Sequence, residues 1–293
     1  AINTGKEALK REKKKKQKQK VLDGPTIDLL VQNEDVFSLI CMLRAPTEKR
    51  LSAALALMKF AKENDQLRNE IRSSGGMHSF LTLYRGRSTG KELRLVASLA
   101  VAYVLPSFVA KSQVTSQMAI KFLECIRFLI TTQPVSPQNV TITRQEMYSA
   151  ASAGVNALWI NTVRPLIALE KSKQVCKLPM PTHEKQSYSF RRFRGRTGGG
   201  ISDQGQESKE TQDMTELSVT VITHIARGAS QEKIHTGYDI VEQVCAEDVA
   251  RPIAVREGLL STLVEWIRSK DLALMRPSAS ALRYLISIED QYN

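Results

Sequence analysis

The chain repeats itself, and this repeat constrains the fold more than any other feature of the sequence. In both copies a charged helix end leads through glycine into an apolar helix, a short polar connection and a helix rich in Ala and Ser. Gly76 and Tyr103 of the first copy match Gly258 and Tyr284 of the second. Helical repeats of this kind predict a solenoid, since each unit buries its apolar face only against its neighbours. The two copies are residues 35–105 and 245–288.

Helical periodicity extends through the chain between and around the two copies. Apolar residues recur three and four positions apart, and no series of alternating strands with turn signals is present. The sequence therefore predicts an all-α protein. Pro277 falls inside the helix expected to close the last repeat, which predicts that this helix starts late or kinks.

The repeat resembles the armadillo repeat. Its third helix reads Ala-Leu-x-x-aromatic/Leu-Ala, a pattern that "ALMKFA" at Ala56–Ala61 fits best and "VITHIA" at Val221–Ala226 also fits. The resemblance implies a right-handed α-solenoid of three-helix repeats. It also implies that the third helices line a concave groove that binds extended peptides.

The groove positions differ from those of import adaptors of the importin-alpha type, which carry a Trp and an Asn four residues apart. In this chain none of the Trp-equivalent positions contains tryptophan. The Asn-equivalent positions include Lys and Arg, which resembles the groove of beta-catenin and implies an acidic, extended partner. Solvated Lys and Arg are common on any helix face, so ordinary surface charge stays open as the alternative. The Trp-equivalent residues are Leu55, Ser98, Thr220 and Ala279, and the Asn-equivalent residues are Lys59, Ala102, His224 and Arg283.

Composition divides the chain into four parts. Two segments are poor in apolar periodicity: a basic N-terminal tail that predicts disorder, and an internal stretch rich in Gly, Ser, Pro and Gln that predicts a flexible insert. The remaining parts are expected to form one solenoid. The boundaries are 1–22 for the tail, 23–176 for the first repeats, 177–212 for the insert and 213–293 for the continuing repeats.

The net charge of +12 is concentrated in these two segments. Clustered cations attract phosphate backbones, acidic proteins or anionic lipid, and they also resemble nuclear-import signals. Arginines interleaved with aromatic rings can hold single-stranded RNA, although a solvated linker has the same composition. The candidate contacts with nucleic acid or an acidic partner are Lys13, Lys14, Lys15, Lys16, Arg191, Arg192, Phe193, Arg194 and Arg196.

The sequence gives no positive sign of an enzyme, a metal site or a cofactor. "YRGRSTGKELRL" at 84–95 has only three residues between its glycines and a Glu after Lys91, so it predicts a connection between two helices instead of a phosphate-binding loop. The four histidines lack metal-ligand spacing, and the four cysteines lack the close pairs of zinc or redox motifs. Reduced thiols indicate an intracellular protein, cytoplasmic or nuclear.

The tryptophans, the longest apolar run and the N-terminus complete the sequence-based expectations. Trp159 and Trp266 lie on apolar stripes and are expected to be buried. The apolar run Leu95 to Ala110 is shorter than the ~20 residues that a membrane span needs. The N-terminus lacks both an initiator Met and a signal-peptide core, as expected for a processed chain or a piece of a longer one.

These observations favour a non-catalytic protein-interaction scaffold that binds an acidic, extended partner segment in its groove. An RNA- or chromatin-associated adaptor that uses the two basic segments is the alternative. A nuclear-transport adaptor is a third possibility, because a basic arm before armadillo repeats resembles the layout of importin-alpha. The missing Trp and Asn array argues against it.

Overall fold

The computed structural model describes residues 26–45, 49–175, 203–231 and 238–286, and within them it contains helices and no strand. The predicted all-α fold is therefore confirmed for this part of the chain. A π-helical turn over Trp159–Val163 joins α8 to α9, and a short 3₁₀ turn lies at Pro137–Asn139. The helices are α1 Ile27–Gln32, α2 Val36–Arg44, α3 Arg50–Glu63, α4 Asp65–Ser73, α5 Gly76–Arg85, α6 Lys91–Val109, α7 Ser116–Thr131, α8 Arg144–Leu158, α9 Arg164–Val175, α10 Asp203–Gln231, α11 Tyr238–Ala246, α12 Arg251–Arg256, α13 Leu259–Arg268 and α14 Leu272–Ile286.

The helices form two parallel layers of successive neighbours, as stacked three-helix repeats require. In the second-helix layer, α2, α5, α7, α10 and α13 each contact the next. The third helices of the repeats are α3, α6, α8, α11 and α14, and they form the third-helix layer. Within it the closest packing is between α3 and α6, α6 and α8, and α11 and α14. The short helix α9 is held to the end of α11, where Glu247 accepts from Arg164 at 3.0 Å and from Lys171 at 3.2 Å.

An arginine cap recurs at the end of two third helices and fixes the repeat register. Nε of Arg68 donates to the carbonyl of Ala61 at 2.6 Å, and Nε of Arg251 donates to the carbonyl of Cys245 at 2.8 Å. Each cap satisfies a helix-terminal carbonyl that has no partner within its own helix. Because the same contact closes α3 and α11, α11 is the third helix of its repeat and α10 is the second.

Glycine in the left-handed conformation precedes two second helices. Gly75 has φ +78° and Gly258 has φ +83°, so Gly258 corresponds to Gly75 and the sequence-based match to Gly76 was wrong by one position. The guanidinium of the preceding second helix lies against each glycine. A Cβ would meet Nη2 of Arg44 at 3.3 Å in the first case and Nη2 of Arg227 at 2.9 Å in the second.

Replacement of either left-handed glycine by alanine is expected to destabilise the protein by about 1–2 kcal/mol, because a Cβ disfavours positive φ. Gly90 provides the matched control, since its φ of −60° suits any residue and a Cβ there meets nothing within 4 Å. Urea unfolding of Gly75→Ala, Gly258→Ala and Gly90→Ala measures the difference. Equal midpoints for all three variants would contradict the backbone assignment.

The core agrees with the sequence at its largest side chains and differs at two element boundaries. Trp159 and Trp266 are fully buried, as expected. Helix α10 begins at Asp203, inside the segment assigned to the insert, because its polar first turns conceal helical structure. Helix α14 begins at Leu272, before Pro277, and runs through it to Ile286, so the helix does not start late.

Helix α6 is the most deeply buried element of the described chain. By length and composition alone, Lys91–Val109 could span a membrane. In the structure, however, every residue from Leu95 to Ala102 has no exposed surface. Helices α3, α5, α7 and α8 pack against α6 and bury this central part of it.

Candidate functional site

Helix α3 presents a stripe of side chains on the third-helix face, the surface that the resemblance identifies as a groove. Ser52, Leu55, Lys59 and Lys62 are three or four residues apart and therefore lie on one side of the helix. Lys59 is exposed and has no ion-pair partner within the described part of the chain. This face thus contains one predicted groove residue in the expected place.

A segment of the chain itself crosses this face of α3. It is the connection between α7 and α8, residues 133–143, here called the α7–α8 strap. The hydroxyl of Ser52 donates to Oε1 of Gln138 at 2.9 Å, while Pro137 and Ile142 of the strap are buried. Leu55, one turn after Ser52, is only 8% exposed. The strap therefore occupies part of the surface where a groove was expected.

The strap ends in a charged node at the first turn of α8. Glu146 accepts from Nζ of Lys62 at 2.9 Å and from the hydroxyl of Tyr103 at 2.9 Å, so one carboxylate joins α3, α6 and α8. Burial, followed by the hydrogen bond to Glu146, raises the pKa of Tyr103, which keeps the phenol protonated as a donor. An acidic side chain thus already pairs with a lysine of the α3 stripe.

Ala102 does not line an open groove. It is fully buried, and a Cβ at Gly154 of α8 would lie 3.3 Å from its carbonyl oxygen. Ser98, one turn earlier, is also buried and donates to the carbonyl of Arg94 at 2.8 Å. Small residues here permit the close approach of α6 and α8, and this packing removes both positions from the surface.

His224 and Thr220 lie on α10, in the second-helix layer. The sequence-based assignment of "VITHIA" to a third helix fails because alanine and β-branched residues at this spacing suit any buried helix. Of the four predicted groove residues, Lys59 and Arg283 remain exposed on third helices. Arg283 lies on α14 with its guanidinium 5.4 Å from the centre of the Tyr284 ring, at the far end of the layer from α3.

The surroundings of His224 predict a pH dependence of stability. Burial first, and then Arg227 on the same helix and Arg127 on α7, lower its pKa from the ordinary 6.5, while Glu257 opposes them. Since the folded-state pKa is below the unfolded one, the stabilisation is present above pH 6.5 and is lost as the pH falls below it.

The measurement is urea unfolding at pH 7.5 and pH 5.5 for the wild type, His224→Gln and the exposed-site control His78→Gln. The drop in midpoint on acidification is expected to be smaller in His224→Gln than in the other two proteins. An unchanged drop in His224→Gln would contradict the assigned role of the histidine.

The remaining sequence-based candidates are the 86–90 connection, the cysteines, possible metal ligands and the two basic segments. Residues 86–90 connect α5 to α6, which confirms the predicted connection between helices. Burial raises the pKa of Cys125 and that of Cys245 to about 12, so both thiols are protonated. Among the described residues no His, Cys, Asp and Glu form a metal-binding group. The candidates of the two basic segments, Lys13–Lys16 and Arg191–Arg196, lie outside the described residues.

Comparison with protein-family models and with curated proteins gave no match. Solved structures gave distant likenesses. A designed armadillo repeat protein, YIII(Dq)4CqI, is 13% identical with a TM-score of 0.39, over 85% of this chain and 99% of that one. A second design, solved in complex with the peptide (KR)4, is 11% identical with a TM-score of 0.39 over the same shares. An engineered protein is 17% identical with a TM-score of 0.37, and the match covers 89% of this chain and 61% of that one.

Proposed function

We propose that this chain is a non-catalytic protein-interaction scaffold whose third-helix face binds an extended, acidic segment of a partner protein. The observation that carries the proposal is the α7–α8 strap, a segment outside the α-helices that is already held on this face. The strap accepts a hydrogen bond from the hydroxyl of Ser52 at the amide side chain of Gln138, and directly after the strap, in the first turn of α8, Glu146 pairs with Lys62. A partner segment of the same chemistry would use the same kind of contacts.

The exposed cations of the layer supply the charge complementarity. Lys59 on α3, and Arg276 and Arg283 on α14, are exposed and have no carboxylate partner within the described residues. Cations at a binding surface steer an acidic chain and fix its register more than they raise raw affinity. An extended segment of about 12 residues spans ~40 Å, which is the width of four helix-to-helix steps in such a layer.

The experiment measures fluorescence anisotropy with two labelled 12-residue peptides, one of alternating Glu and Thr and one of alternating Lys and Thr. We expect the acidic peptide to bind and the basic peptide not to bind. Lys59→Glu/Arg283→Glu is expected to weaken binding about tenfold or more. The matched control, Arg85→Glu/Arg127→Glu, reverses two exposed cations of the second-helix layer and should change the affinity less than about twofold.

Preferential binding of the basic peptide would contradict the proposal and favour a nuclear-transport adaptor. Equal loss of affinity in the two double variants would also contradict it, because net charge and not the third-helix face would then explain the binding. The free thiols of Cys41, Cys125 and Cys245 support the cytoplasm or the nucleus as the proposed location of this scaffold.

A further inference from the structure

A row of cations follows the C-terminal ends of the second helices, away from the third-helix face. Helices α2, α5 and α13 end in Arg44, Arg85 and Arg268, while Arg127 and Arg227 lie one turn before the ends of α7 and α10. Because these helices contact one another in sequence, the arginines succeed one another along one edge. We call this row the second-helix edge.

Side-chain contacts join the second helices in the middle of this row. The ring of Tyr84, next to Arg85, lies 5.6 Å from that of Phe128, next to Arg127. Arg127 and Arg227 both act electrostatically on His224 between them. With ~8–10 Å between the axes of neighbouring helices, the five second helices place cations over ~30–40 Å.

Some arginines of the edge form hydrogen bonds within the fold, and others are exposed without a carboxylate partner in the described chain. Arg44 and Arg227 are structural, since Arg44 donates to Ser79 at 3.1 Å and Arg227 donates to the carbonyl of Glu257 at 3.0 Å. Arg85 and Arg127 are exposed and have no carboxylate partner within the described chain. Arg87, in the connection after α5, is likewise exposed.

A pocket of about 510 Å³ lies beside this row, at the connection between α5 and α6. Guanidinium groups, a histidine and hydroxyl groups line it, and none of its lining residues in the described part of the chain is a carboxylate. Arg44 already donates to Ser79 and Arg50 to the carbonyl of Ala45, and each guanidinium has further N–H groups. Such donors bind phosphate oxygens, and hydroxyl groups and arginines commonly contact nucleic-acid backbones in this way. The polar residues that line it are Arg44, Arg50, His78, Ser79, Thr82, Ser88 and Thr89.

We propose that the second-helix edge binds the phosphodiester backbone of a nucleic acid, with the pocket taking one phosphate and Arg85, Arg87 and Arg127 contacting others. A single small anion would use the pocket and leave the row unexplained, whereas a backbone repeats its charge along the row. A membrane surface fits less well, because none of the exposed large apolar side chains of the described chain lies on α5, on α7 or in the connection after α5. Two acids act on neighbours of the row: Glu124 on Tyr84, beside Arg85, and Glu257 on His224.

The test is fluorescence anisotropy of the full chain with a labelled 20-nucleotide single-stranded RNA and, in a second arm, a 20-base-pair DNA duplex. The edge variant is Arg85→Gln/Arg87→Gln/Arg127→Gln. The matched control removes the same charge from the third-helix face, as Lys59→Gln/Arg276→Gln/Arg283→Gln. All six side chains are exposed, and circular dichroism checks that both variants fold.

We expect the edge variant to bind RNA about tenfold or more weakly, and its plot of log affinity against log salt to be flatter by about 2, since each lost phosphate contact removes ~0.7. The control should bind RNA within about twofold of the wild type. Equal weakening in both variants, or no binding of either nucleic acid, would overturn the proposal. The acidic peptide serves as a separate arm: its loss with the edge variant would instead show that the edge binds protein.

Discussion

Replacement of Ala102 by arginine is expected to abolish cooperative folding or to destabilise the protein by about 3–5 kcal/mol, because the new charge would be buried without a partner. Ala102 has no exposed surface, and apolar atoms of Leu105 and Ile126 surround the contact between its carbonyl and Gly154. Glu146, the acid bonded to the adjacent Tyr103, already accepts from Tyr103 and Lys62. Urea unfolding followed by circular dichroism measures the change.

Ala153→Arg is the matched control for this prediction. Ala153 lies on α8, one residue before Gly154, but its side chain is exposed, so arginine there should change stability by less than about 0.5 kcal/mol. If both variants were equally stable, Ala102 would have to face solvent. The sequence-based assignment of Ala102 to an open groove would then stand, and the packing of α6 on α8 would be wrong.

Trp266→Ala is expected to destabilise the protein by about 3–5 kcal/mol, since it removes a fully buried side chain and leaves a cavity. The ring lies 4.8 Å from that of Tyr238 with the planes at 79°, so it joins the second helix α13 to the third helix α11 of the preceding repeat. Denaturant unfolding gives the loss of stability.

Trp266→Phe separates this packing role from a role in binding. The smaller ring keeps part of the contact with Tyr238 and is expected to lose about half as much stability as alanine, or less. A tryptophan that anchors a partner would behave differently: both substitutions would leave the unfolding midpoint unchanged and weaken the affinity for the peptide.

The repeat was predictable because its signals are local. Glycine before an apolar helix, small residues on the third helix and buried tryptophans can all be recognised without coordinates. A further signal was also readable: Arg44, Asp65, Arg68 and Gly75 recur 183 residues later as Arg227, Asp248, Arg251 and Gly258. In both places the second arginine, Arg68 or Arg251, caps the end of a third helix. The same arginine also forms an ion pair with the aspartate three residues before it. Because Arg227 on α10 corresponds to Arg44 on the second helix α2, the interval assigns α10 to the second-helix layer.

The candidate site was less predictable because it depends on which faces are covered. The periodicity of α6 identifies a helix with small residues, but only packing shows that Gly154 and its neighbours close over Ala102. The α7–α8 strap reads as an ordinary polar connection, and its pairing of Gln138 with Ser52 spans 86 residues of sequence. His224 was assigned to the wrong layer because a buried second helix and a buried third helix have the same pattern.

Hydrogen–deuterium exchange with and without the Glu/Thr peptide tests most directly whether the third-helix face binds an extended acidic segment. The account predicts slower exchange in α3 and α14 on addition of the peptide, faster exchange in the α7–α8 strap where the peptide competes with it, and no change at the ends of the second helices. Slower exchange confined to α5, α7 and the connection between α5 and α6 would contradict the account. The partner would then bind at the second-helix edge.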